Sequence, residues 1–406
     1  RTMDNEYFIR WAYGWNRFNL RIIGIWPEPN EGPMIRYRSW VYALLVFVII
    51  YAPQTASVVV FWGNLNATVE CLSINVPVGI AVMKLVIFSR RRKVLSTLLD
   101  LMAKDWNPSR TKEEREAMRE FAKVARAISV ISVSLSNSML VAYVSMGAFY
   151  GMHERSQPHN DSLLNPGFLY SSYFPFDTED MSRFAPTWLG QCVGTLLSLT
   201  AYSGPDSFIA MLVLHIVGQL STVRMALVKL VDEKTVENSS IYWNKLIAIV
   251  KKHEELNRFL ILRESFNTML LAQMLNCTIT FCCQGFAMFT ILVESVGTGN
   301  FPWLHIVFVI IQAFYTIIHL FVYCYVGDLL SVESTSISFA AYDCEWYRLS
   351  ANEARALMLV TNRSRIPLEI TAGKFCAFSL ELFNGIMKTS MGYLSVLLAM
   401  KDRLIE

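Results

Sequence analysis

Long apolar blocks, each able to cross a bilayer, constrain this chain more than any other feature. They run Trp40–Trp62, Val69–Phe88, Ala127–Tyr150, Trp188–Val223, Met269–Val293, Trp303–Tyr325 and Phe375–Met400. A helix rising about 1.5 Å per residue needs about twenty apolar residues to span the hydrocarbon core. The charged fraction is 17% in 406 residues, well under the roughly one quarter of a soluble domain. The expected fold is all-α, a seven-transmembrane-helix bundle. The fourth block is 36 residues long and is interrupted by Ser203-Gly-Pro-Asp206, so its length alone leaves open whether it crosses once or twice. The first forty residues are polar, basic and aromatic, and no signal peptide is expected there.

Basic residues decide the count. With seven crossings, the N-terminal tail carries Arg1, Arg10, Arg17, Arg21, Arg36 and Arg38. Eleven Lys/Arg lie between Arg90 and Arg126, eight between Arg224 and Arg263, and five between Arg348 and Lys374. All of these fall on one side. The other side holds Arg155, Arg183, Lys401 and Arg403. Splitting the fourth block would export the eight-charge connection and bring in the Lys/Arg-free segment 294–300. The positive-inside rule therefore predicts one long fourth helix, a cytoplasmic N-terminus and an extracellular C-terminus. This is the reverse of a G-protein-coupled receptor. The sequons at Asn66 and Asn160 fall in outer loops and are candidate glycosylation sites, whereas those at Asn238 and Asn362 fall inside.

The inner connections carry helical periodicity of their own. Lys112–Arg126 extends the third crossing, Tyr242–Glu264 is an amphipathic helix leading into the fifth, and Ser336–Thr361 is another, ended by Pro367. Such a layer is either an assembly surface or a set of solvated loops. The expected organisation is a cytoplasmic segment 1–39, crossings one to six with their extensions over 40–335, a cytoplasmic helix over 336–368, and a last crossing with a short tail over 369–406.

Catalytic and metal motifs are missing. His153 and His159 lack a third ligand at usable spacing, and His253-Glu254-Glu255 is not a zinc-binding HExxH. No enzyme activity, cofactor, metal site or nucleic-acid partner is expected. The eight cysteines form no CxxC pair. Cys71 and Cys192 both lie near predicted outer helix ends, where a disulfide is conceivable. Lys84, near the inner end of its helix, reads as a snorkelling side chain. Lys388 lies deep in the last crossing, seven residues after Glu381.

The last block reads as one continuous helix from Lys374 to Met400. Gly385, Thr389, Gly392, Val396 and Ala399 recur every three or four residues and share one face. A stripe of modest side chains suits tight packing on a neighbouring helix, or a pore lined by several copies.

The chain's C-terminal part resembles the insect odorant receptors. The residues that carry this are Ser338-Phe-Ala-Ala-Tyr-Asp-Cys-Glu-Trp-Tyr347, Arg363-Ser-Arg-Ile-Pro-Leu-Glu-Ile-Thr-Ala-Gly-Lys-Phe375, Ser379-Leu-Glu-Leu-Phe383 and Lys388-Thr-Ser-Met-Gly-Tyr-Leu-Ser-Val396. Gly24-Ile-Trp-Pro27 and Tyr323-Cys-Tyr-Val-Gly-Asp328 are similar to the same family. The closing Gly392–Met400 lacks the endings of the gustatory receptors and of the olfactory co-receptor, so the resemblance is to an odorant-tuning subunit.

The resemblance implies a ligand-gated, non-selective cation channel of four subunits, shared with the co-receptor, in the plasma membrane of olfactory sensory neurons. It makes the small-residue stripe pore-lining, with Val396 and Ala399 at the constriction. It places a small volatile organic ligand in the outer half of the bundle. Candidate contacts by depth and type are Leu72, Val76 and Ile80; Tyr143, Met146 and Tyr150; Cys192, Val193 and Leu196; and Phe308, Gln312 and Tyr315. Rings and thioethers adapt to varied apolar shapes. A membrane transporter or a homomeric chemosensory channel remains the alternative; against the transporter, no internal repeat or paired broken helices are present.

Overall fold

A computed structural model of the chain describes residues 2–28, 33–106, 111–155, 167–176, 178, 180–257, 260–298 and 302–405. Six helical stretches among the described residues are long and apolar enough to cross a membrane: Tyr37–Val60, Leu65–Arg90, Lys112–Phe149, Met181–Val228, Phe266–Val293 and Trp303–Asp343. A seventh long helix closes the chain.

Helix α1 (Thr2–Ile22) precedes the first crossing and packs on the third and fourth. Its Asn16 donates to Ser129 Oγ at 2.8 Å and accepts from Ser207 Oγ at 2.9 Å. The first crossing is built from α2 (Pro33–Val46), a π-helical turn at Phe47–Tyr51, and α3 (Ala52–Val60). Pro53 explains the turn, since it has no N–H to donate and its ring displaces the preceding carbonyls. Helix α4 (Leu65–Arg90) is capped by Asn64, whose side chain accepts from Ala67 N at 3.2 Å. The short α5 (Arg92–Asp105) buries Leu95, Leu98 and Met102 on one face.

Helix α6 (Lys112–Arg155) carries the expected N-terminal extension of the third crossing without a break. Helix α7 (Met181–Val228) has 48 residues and runs straight through Gly204-Pro205, so the fourth block is one crossing. In α7's most apolar stretch 78% of the residues are buried, against 28–50% in the other five crossings. It is therefore the central post, apolar or internally paired all round. After α8 (Glu233–Glu237) and α9 (Ser239–Asn257) come α10 (Leu260–Thr298) and α11 (Trp303–Asp343). Asp105, ending α5, ties this end together: its carboxylate meets His215 Nε2 at 3.1 Å and Lys252 Nζ at 2.5 Å. Burial pushes its pKa up, but the hydrogen bonds and charges of His215 and Lys252 outweigh burial and hold it below the usual carboxylate range.

Two expected helices are divided. Ser336–Thr361 is not continuous, because α11 stops at Asp343 and α12 (Ala351–Ser364) starts afresh behind Ser350. Ser350 and Glu353 form a reciprocal capping box there. The last helix does not begin at Lys374. Instead Thr371–Ala372 (β1) and Cys376–Ala377 (β2) pair antiparallel, Thr371 opposite Ala377. The connection is three residues, Gly373, Lys374 and Phe375; Gly373 and Lys374 take positive φ, 61° and 66°, and Phe375 N donates to the Ala372 carbonyl at 3.0 Å. Asn267 fixes this turn by accepting from Gly373 N at its carbonyl and from Lys374 N at its side chain. Helix α13 (Leu380–Ile405) then completes the chain.

Candidate ligand cavity and pore helix

A cavity of about 60 Å³ lies among the π-helical turn, α4, α6, α7, α10 and α11, closed on one side by the segment 167–176. Helical phase decides which residues reach it. From α7 these are Thr195, Ser198, Leu199 and Tyr202, spaced as one face of a helix. Helix α4 supplies Ser73, Ile74, Pro77 and Val78, and α6 supplies Met139 and Tyr143. Thr280 and Gln284 come from α10, and Gln312, Tyr315 and Thr316 from α11. The wall is apolar with a few hydrogen-bonding groups, the usual character of a small-molecule site.

The polar groups are mostly tied to each other. Gln312 Nε2 donates to Tyr143 OH at 3.3 Å, and Tyr170 OH lies 3.1 Å from Thr195 Oγ1. Gln284 Nε2 donates to Thr316 Oγ1 at 3.1 Å.

Tyr202 and Tyr315, with ring centroids 5.8 Å apart, form the floor. Beneath them Asp206 is buried and accepts three partners: Lys84 Nζ at 2.5 Å, Tyr323 OH at 2.5 Å and His319 Nδ1 at 3.0 Å. Lys84 also donates to the Tyr202 carbonyl at 2.8 Å and sits 4.2 Å from that ring's centroid. Lys84 is therefore not a snorkelling residue. It is fully buried, because a carboxylate 122 positions away in sequence offers what the membrane edge would otherwise supply.

Of the residues expected at the ligand, Tyr143, Gln312 and Tyr315 line the cavity. Phe308 stands one step behind, edge-on to Tyr143 at 5.0 Å. Leu72, Val76 and Ile80 are half-buried on α4 but do not line it; Leu72 packs instead beside Val69, Cys283 and Phe286. Met146 is half-buried outside the cavity, and the Tyr150 side chain lies outside the described residues. Val193 and Leu196 lie on the outer side of α7, 50% and 41% exposed, and Cys192 is half-buried without lining the cavity. Their neighbours Thr195 and Ser198 face inward. Cys71 and Cys192 are both free thiols. Asn66 is exposed in the first turn of α4, and Asn160 lies outside the described residues.

Helix α13 has two unlike faces. Ile386 and Ser390 are buried, and Leu394 packs against Val69, Cys283 and Phe286. Gly385, Thr389, Gly392 and Val396 are exposed together with Lys388. A Cβ added at Gly385 or Gly392 would meet nothing within 4 Å. The Ala399 side chain lies outside the described residues.

Residues 64–391 match the model of the 7tm odorant receptors. The chain belongs to the insect odorant receptor family. It is similar to odorant receptor 22c of Drosophila melanogaster, 23% identical over 94% of this chain and 95% of that protein. Odorant receptor 13a of the same fly is 25% identical over 66% of each. Likeness to the odorant receptor coreceptor of Harpegnathos saltator, at 28%, is confined to 42% of this chain and 33% of that one. The chain thus sits with the odorant receptors rather than the coreceptors. Its fold is that of the olfactory receptor OR5 of Machilis hrabei, solved in complex with eugenol: TM-score 0.81, 15% identity, covering 98% of this chain and all of that one. The family is one of receptors, not enzymes, and the chain is a multi-pass membrane protein.

Proposed function

We propose that this odorant receptor is the tuning subunit of an odorant-gated, non-selective cation channel. A small volatile ligand binds in the cavity beneath segment 167–176, and the pore is lined by the Gly385/Thr389/Gly392/Val396 face of α13, with Val396 and Ala399 at its constriction. The observation that carries this reading is the division of α13: one face is consumed by its own bundle, and the opposite, small-residue face is exposed, with no partner among the described residues. A stripe serving only intrachain packing would be covered. Four subunits arranged around an axis would bring four such faces together.

The partner is the olfactory co-receptor, met through the layer formed by α5, α9, α12 and the ends of the long helices. The membrane is the plasma membrane of olfactory sensory neurons, with the N-terminus cytoplasmic and residues 1–39 and 336–368 on that side. Asn66 and Asn160 are then extracellular and open to glycosylation. Ligand binding favours one arrangement of α4, α6, α7, α10 and α11 around the cavity, and α13, packed on α10 and α11, follows.

Whole-cell recording during an odorant panel tests this, in cells expressing the chain with and without the co-receptor. A prompt cation current that requires both subunits is expected. Ligand-dependent uptake of solute without current would put the chain among transporters instead.

A further inference from the structure

Gln284 is 2% exposed and lines the cavity, and its Oε1 has no hydrogen-bond partner. A buried amide oxygen left in this state carries the full cost of desolvation with no return. The orientation of the amide follows from its neighbour. Thr316 Oγ1 has a single proton, which it donates to the Gln312 carbonyl at 3.1 Å. Towards Gln284 it can therefore only accept, and it does so from Nε2 at 3.1 Å. Reversing the amide would set oxygen against oxygen. The amide is thus fixed with its NH₂ spent and its carbonyl oxygen open.

The surrounding polar groups do not fill this vacancy. Thr280, one turn away on α10, directs its hydroxyl to Asn276 Oδ1 at 3.3 Å. Thr195 donates to the Gln191 carbonyl at 2.6 Å, and Ser73 to the Glu70 carbonyl at 2.7 Å. Gln312 is engaged with Tyr143. Ile50, Ile74, Pro77, Val78, Leu199 and Met139 make the apolar part of the wall, and Ser198, Tyr170, Tyr202 and Tyr315 bring its remaining hydroxyls.

We infer that the cavity is tuned to small hydroxyl-bearing volatiles, alcohols or phenols, whose O–H donates to Gln284 Oε1 while the carbon skeleton fills the apolar wall. This rests on the reading of the cavity as the odorant site of a channel subunit. A ligand that only accepts hydrogen bonds leaves the Gln284 oxygen unpaired, and a hydrocarbon does the same. Discrimination of this kind is strong where a buried site group loses its partner and weak where only apolar volume changes.

The test uses this chain with the olfactory co-receptor in a cell line and reads whole-cell current against ligand concentration. The probes are matched triplets with hydroxyl, methyl or methoxy at one position: phenol, toluene and anisole; hexanol, heptane and methyl hexyl ether. In the unaltered receptor the hydroxyl member should act at about tenfold lower concentration than either companion. Gln284→Leu should remove that lead, lowering the potency of the hydroxyl member about tenfold relative to its hydrocarbon companion, with surface biotinylation showing that the variant folds. Should Gln284→Leu fail to reach the surface, the ranking in the unaltered receptor decides alone. Equal or greater potency of the methyl or methoxy members overturns the hydroxyl preference and leaves the channel reading intact. No current to any member of either triplet, with both subunits at the surface, overturns the channel reading and this inference with it.

Discussion

Helices α7 and α13 are both long crossings that carry small and polar residues, yet they dispose of them in opposite ways. In α7 the polar side chains of the buried stretch from Ser203 to Ser207 are paired inside the chain. Asp206 holds Lys84, His319 and Tyr323, Ser207 holds Asn16, and Ser203 meets Ser136. In α13 only the Ile386/Ser390/Leu394 side is consumed, and Gly385, Thr389, Gly392 and Val396 are left open. The comparison teaches that polarity in a membrane helix has no single meaning. Where its partners lie within the chain it fixes the bundle; where a face is left open it invites something outside the chain, which in the proposed channel is a further subunit and a water-filled path.

The comparison breaks most sharply at Asp206. Asp206→Leu leaves Lys84 as an unpaired buried charge and should destabilise the fold by about 3–5 kcal/mol. The complex would be lost from the cell surface in a biotinylation assay. The double variant Lys84→Met/Asp206→Leu should recover much of that loss, because no charge is left stranded. Recovery no better than the single variant would mean that His319 and Tyr323 carry the cluster.

Glycines give the next contrast. A Cβ at Gly327 would lie 2.4 Å from the Phe378 carbonyl oxygen, at the hairpin that leads into α13. Gly327→Ala should therefore cost about 1–3 kcal/mol of stability, read as a lower melting midpoint of the detergent-purified complex. At Gly392 nothing lies within 4 Å. Gly392→Ala should leave that midpoint unchanged or raise it slightly, by up to about 1 kcal/mol from helix propensity, while altering unitary conductance. Equal destabilisation at both positions would erase the distinction between the faces.

The smallest effect concerns the layer beyond the membrane. Burial, and then the nearby Arg363, depress the pKa of His253 in α9 below its ordinary value. The unfolded chain therefore takes up this proton before the folded one does. Stability should fall as pH drops below the ordinary His value of about 6.5 and go on falling until the folded-state value is passed. His253→Phe should flatten that slope between pH 7 and 5.5 in thermal melts. An unchanged slope would assign it to other groups.

Much of the architecture was legible because bilayer thickness and charge asymmetry act on whole segments. Seven apolar blocks and the Lys/Arg skew lead directly to a single 48-residue α7, despite Gly204-Pro205. The same locality misled the reading of Lys84, whose partner Asp206 lies in the segment that looked like a break. It also hid the hairpin at Gly373-Lys374, where an apolar run reads as helix although two successive positive-φ residues bend it. The cavity was legible to the level of helices, not of faces. Tyr143, Gln312 and Tyr315 reach it, but on α7 the choice of Val193 and Leu196 favoured apolar character over phase. The signal that was there is the spacing of Thr195, Ser198 and Tyr202, polar residues kept on one side of an otherwise apolar helix. Gln284 carries the same signal on α10.

The central claim is that the open face of α13 lines the conduction path. Single cysteines at Thr389, Gly392 and Val396, and at Ile386 and Ser390 on the packed face, should be expressed with the co-receptor. Each is then exposed to a charged thiol-reactive reagent during odorant-evoked current. The account predicts rapid, irreversible block at Thr389, Gly392 and Val396, and current indistinguishable from the unsubstituted receptor at Ile386 and Ser390. Block at the packed positions with none at the open ones would contradict it.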